Sequence, residues 1–143
     1  MTWQLAGAAM VLGLASGAAA QDGQYAYLGA SLFGTEEVGG NGAPDPASAD
    51  FSAEIDLKGG EICYLLELNE IADFAAAHIH EGARGRNGPP VVTLQLAGDD
   101  GEDVCQAVDP EVLAKIAKRP GSYYVNVHTE AFPTGAVRGQ LRD

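Results

Sequence analysis

The sequence predicts an all-β domain, an antiparallel sandwich or barrel of about seven to eight strands with one short helix near residues 110–118. Three observations carry this. Phe51-Ser52-Ala53-Glu54-Ile55-Asp56-Leu57-Lys58 alternates apolar and polar residues, the period of a half-buried strand. Further short runs of the same kind recur between Gly-, Pro- and Asn-rich breaks. Only one stretch has helical spacing, with Val112, Leu113, Ile116 and Ala117 on one stripe.

Of the 143 residues, the first twenty read as a secretory signal peptide. Ala6 to Ala20 is uncharged and ends in Ala18-Ala19-Ala20, the small-residue pattern that precedes cleavage. No Lys or Arg precedes the run, so either the true start lies upstream or the N-terminal amine supplies the positive charge. The run is short for a membrane span, and no second apolar run follows. A secreted or periplasmic domain over residues 21–143 is therefore expected, with no membrane span after cleavage. The formal net charge of -12 excludes nucleic acid, whose phosphates need Lys and Arg. It also disfavours an anionic membrane face.

The elements follow in order. Gln24 to Leu32 reads as a strand, and Gly34 to Ser48 as a long loop. The strands Phe51–Lys58 and Glu61–Leu68 are joined by Gly59-Gly60, read as a two-residue hairpin turn. Ala75–His80 is a strand, Glu81–Pro90 a Gly-rich loop, Val91–Leu96 a strand and Gly98–Asp103 an acidic turn. Asp109 caps the helix, Pro110 stands at its first position, and Pro120-Gly121 stops it. Tyr123–Thr129 and Ala136–Leu141 close the chain as strands. Cys63 and Cys105, an even pair in an exported protein, are expected to form a disulfide, with a thiolate metal site as the rival reading. Its loop of about 40 residues is worth on the order of 4 kcal/mol in the chain-entropy view.

The chemistry concentrates on three histidines. On a strand, residues two apart share a face, so His78 and His80 project side by side. Ala75, Ala77 and Ile79 take the core side of that strand, while Tyr123, Val125 and Val127 take the core side of another. The histidines, with Tyr124, Asn126 and His128, fall on the outer, polar side. Arg138 and Gln140 point outward from the last strand, which makes Tyr124, Asn126 and Arg138 the expected neighbours. Three imidazoles with an open position suit copper, with zinc as runner-up. The competing reading has the histidines hydrogen-bonding to the adjoining Gly-rich loop.

Other chemistry lacks its residues. The loop at 81–90 has no phosphate-binding glycine pattern. No Gly-x-Ser-x-Gly elbow occurs. The pairs Glu36-Glu37 and Asp99-Asp100 sit in loops and are expected to face solvent.

Four blocks are similar to the CHRD domain, the family named after chordin: Ala77-His78-Ile79-His80-Glu81-Gly82, Asn87-Gly88-Pro89-Pro90-Val91-Val92, Tyr124-Val125-Asn126-Val127-His128-Thr129, and Pro133-Thr134-Gly135-Ala136-Val137-Arg138-Gly139-Gln140-Leu141. The resemblance spans nearly the whole mature chain and suits a secreted, single-domain bacterial member. Ala136 departs from the acidic residue usual there, and the cysteines lie outside the motif. The resemblance implies a β-rich extracellular binding module. The histidine arrangement also resembles the copper side of copper/zinc superoxide dismutases, which use a fourth, bridging histidine that this chain lacks. The expected function is a secreted binding module holding copper or zinc through His78, His80 and His128, its partners a metal ion or an extracytoplasmic protein. The alternatives are a copper-dependent redox enzyme of dismutase type and a metal-free protein-interaction module.

Overall fold

A computed structural model describes residues 23–96 and 103–143. The stretch expected to be a signal peptide, residues 1–20, and most of the acidic turn, including Asp99-Asp100, lie outside the described residues. Eight strands form in chain order: β1 Tyr25–Phe33, β2 Ser48–Asp56, β3 Glu61–Asn69, β4 Phe74–Glu81, β5 Pro90–Leu94, β6 Val104–Ala107, β7 Tyr123–Thr129 and β8 Val137–Gln140. One α-helix, α1, spans Pro110–Lys118. Its start is the expected one, since the Asp109 side chain accepts from Glu111 N at 2.8 Å. No helix of the described residues is long and apolar enough to cross a membrane.

The eight strands make one sheet in the order β5-β4-β7-β8-β1-β2-β3-β6, with antiparallel pairing throughout. The structure is nearer the barrel than the sandwich, a half-barrel made of one sheet with β5 and β6 as its edges. The single sheet curls, and its inner face carries the alternating set Leu28, Leu32, Phe51, Ile55, Ile62, Ile79, Val125, Val127 and Val137. Leu113 and Ile116 of α1 join the same core, both fully buried. The curl brings edge strand β6 back beside edge strand β5. Gln106 Nε2 donates to Thr93 O at 2.9 Å, and Gln95 N donates to Gln106 Oε1 at 3.1 Å. The Tyr64 hydroxyl reaches the same seam from the core, 2.6 Å from Gln95 O.

Several local expectations are corrected. Gly59-Gly60 is half of a four-residue loop, because Asp56 pairs with Glu61 across the hairpin. The Asp56 carboxylate shapes that loop by accepting from Lys58 N (3.0 Å) and Gly59 N (2.8 Å). The preceding long loop ends earlier than expected, since β2 begins at Ser48, and a short 3-10 turn over Gly34–Glu36 opens it. β6 was not foreseen as a strand. It is short, and it is held opposite β3, where Cys63 and Cys105 face each other in register and are joined as a disulfide with Cα atoms 4.0 Å apart.

Candidate metal centre

The two central histidine-bearing strands pair directly. β4 and β7 align His78 with Asn126, His80 with Tyr124 and Ala76 with His128. Alternation puts Ala77, Ile79, Val125 and Val127 into the core with no exposure, so the histidines stand on the opposite face. Where β4 meets β5 the register shifts between Ile79 and His80. Such an irregularity bends a strand and re-aims a side chain.

The three imidazoles converge. Ring centroids lie 5.5 Å apart for His78 and His80, 5.0 Å for His78 and His128, and 6.3 Å for His80 and His128. One nitrogen from each lies within 4.8 Å of the others. His80 Nδ1 sits 2.8 Å from Gly88 O, and His128 Nδ1 sits 3.1 Å from Pro133 O. A carbonyl only accepts, so each of these Nδ1 atoms carries the proton and each Nε2 keeps a free lone pair. His80 Nε2, His128 Nε2 and His78 Nδ1 are all buried without a hydrogen-bond partner. The histidines thus do bond to the adjoining loops, as the competing reading has it, but with one nitrogen each from His80 and His128. Burial lowers the pKa of His78, and the nearby His128 and His80 add to that effect. Burial also lowers that of His80, opposed by the Gly88 carbonyl. Both rings therefore favour the neutral form, in which a lone pair is available.

The expected neighbours are close at hand but not open to solvent. Tyr124, Asn126 and Arg138 are 3%, 3% and 1% exposed. This corrects the expectation that Arg138 points out to water. It does leave the sheet on the outer side, but the loop of residues 82–89 folds over it. The Arg138 guanidinium donates to Ala83 O (3.1 Å), Arg86 O (2.8 Å) and Asn87 Oδ1 (3.2 Å). It also lies 3.4 Å over the centre of the Tyr124 ring. Tyr124 in turn stacks on His80, with centroids 4.8 Å apart and planes 10° from parallel. Gln140 ties down the same loop by donating to Gly82 O at 2.7 Å. Gly88 must be glycine for this closure, because a Cβ there would overlap the Glu81 carbonyl.

The loop after β1 supplies what the sequence did not reveal. Glu36 does not simply face solvent but pairs with Arg84, linking the two loops that cover the outer face. Glu37 is half-buried and accepts from Asn126 Nδ2. Burial pushes its pKa up to about 7, against the opposing pull of Arg138 and Asn126. Gly135, at φ +142°, leaves the space this carboxyl occupies, since a Cβ there would come within 2.5 Å of Glu37 Oε1. No periodicity marks Glu37, and a Glu-Glu pair in a Gly-rich loop gives no hint that one member turns inward.

The disulfide lies apart from this centre. Cys63 and Cys105 join β3 to β6, so neither sulfur is a metal ligand. No curated protein and no solved structure matches the chain. The family model for the CHRD domain matches residues 28–141, which take in all three histidines, their neighbours and both covering loops. The match runs through nearly all of the curled sheet, and by it the chain belongs to the CHRD domain family, small extracellular protein-interaction modules.

Proposed function

We propose that this CHRD domain is a secreted or periplasmic metal-binding module that holds one copper ion, or zinc in its place, through His78, His80 and His128. The observation that carries this reading is the convergence of the three histidines, each bringing a ring nitrogen within 4.8 Å of the others and each holding one buried ring nitrogen without a hydrogen-bond partner. Buried polar atoms of that kind call for a partner. A neutral imidazole always keeps one lone pair, and three of them brought together match what a metal ion requires. The Gly88 and Pro133 carbonyls fix the tautomers of His80 and His128, the role that carbonyls and carboxylates play behind metal-bound histidines. An all-imidazole donor set suits copper and zinc, and Cu(II) binds such sites more tightly than its neighbours in the first transition row.

Titration of the mature protein with Cu(II) and Zn(II) against a competing chelator tests the reading. One equivalent of metal is expected to bind below about micromolar, within the free-energy range that histidine sites reach. His80→Ala and His128→Ala are each expected to abolish that binding while the β-sheet circular dichroism stays. Failure of the wild-type protein to bind either ion at micromolar levels overturns the proposal. Measuring superoxide consumption by the copper-loaded protein separates a plain binding module from the redox alternative.

A further inference from the structure

We propose that the ion held by His78, His80 and His128 keeps one coordination position open on the side away from the sheet and takes a small exogenous anion there. The inference rests on the metal reading above and extends it to the ligand. The donor set stops at three, since among the described residues no carboxylate or thiolate stands with these histidines. All three side chains rise from one face of two adjacent strands, β4 and β7. Donors that share one sheet face occupy one side of an ion, and among the described residues the covering loops add no fourth His, Cys, Asp or Glu to the set.

Charge selects what fills the open position. Metal-bound histidines are neutral, so a divalent ion brings two uncompensated positive charges to the site. The guanidinium of Arg138 adds a third, behind the Tyr124 ring that stacks on His80. In the covering loop, Glu37 is engaged by Asn126, and among the described residues no carboxylate groups with the histidines. The local excess is therefore positive, and the matching ligand is an anion. Size follows from two further facts. The donor nitrogens are sunk below solvent contact, so only a compact ligand reaches an ion between them. The chain as a whole carries a formal charge of -12, which repels large polyanions such as acidic glycans.

Azide titrated into the Cu(II)-loaded protein, freed of excess metal by gel filtration, provides the test. The expected result is a saturable anion-to-copper charge-transfer band with one azide per copper, and a matching change in the copper electron paramagnetic resonance spectrum. Neither change is expected in chelator-treated protein. Glu37→Gln is expected to shift azide affinity by no more than about threefold, the effect of one screened charge at a distance. Absence of any azide response in the copper-loaded wild type overturns the inference. A response that appears only in Glu37→Gln overturns it too, by showing that this carboxylate closes the site. Heparin displacing azide as effectively as small anions do overturns the size argument. If copper is not retained at all, the failure appears in the metal analysis before azide is added, and the copper form of the metal reading falls with it.

Discussion

Glu37 and Arg138 show how much of this centre depends on single side chains. A carboxyl whose folded pKa is raised binds its proton more tightly in the native state than in the unfolded chain. Its contribution to stability is therefore complete below the unfolded value, near 4.5, and is lost as pH rises through about 7. The lowered pKa values of His78 and His80 act with the opposite sign in the same range, so the Glu37 part is read as the difference in urea midpoint between wild type and Glu37→Gln, which is expected to shift against the wild type as pH rises from about 4.5 to 7. The variant keeps the histidine contribution and lacks the carboxyl's, and identical pH profiles of the two proteins would sink the assignment. Arg138 makes three hydrogen bonds to the 82–89 loop and lies on Tyr124. Arg138→Met leaves two carbonyls and an amide oxygen without their donor. It is expected to cost on the order of 2–4 kcal/mol in urea unfolding. It is also expected to weaken copper or zinc binding about tenfold, because Gly88 in that loop orients His80.

At the scale of elements, the alternation in β4 and β7 already placed the histidines opposite the core. Ala77, Ile79, Val125 and Val127 allow no other register. The same alternation gave Tyr124, Asn126 and Arg138 the correct side but the wrong environment. Strand periodicity reports which way a side chain leaves the sheet, not whether a loop returns to cover it. Here the loops at 34–47 and 82–89 do so, and the pairing of Arg84 with Glu36 across 48 residues leaves no local trace in the sequence. Strand β6 escaped notice for a related reason. Val104-Cys105-Gln106-Ala107 is too short to show an alternation, and what holds it is the long-range pairing with β3. The helix was legible because its signals are local. Asp109→Ala removes the bond to Glu111 N and is expected to lower stability by about 1 kcal/mol, read from the thermal midpoint, without altering metal affinity.

The molecule as a whole is one curled sheet whose free ends are secured twice on the β6 side. One fastening is covalent. Replacing both Cys63 and Cys105 by Ser is expected to cost about 2–4 kcal/mol in denaturant unfolding. Because the disulfide joins β3 to β6 while the histidines sit on β4 and β7, metal affinity is expected to stay within a factor of about two, as independent sites do. A large loss of metal affinity in that double variant would show that the two regions are coupled. The other fastening is the carboxamide of Gln106, which spends its donor on Thr93 O and its acceptor on Gln95 N. An open sheet offers its outermost backbone groups to any passing strand, including those of its own copies. By filling that role with a side chain of the same molecule, Gln106 keeps the domain from extending its sheet into a neighbour. In a crowded extracytoplasmic space, that single amide is then a guard against self-association, and Gln106→Leu is expected to raise light scattering on concentration before it changes the folded circular dichroism.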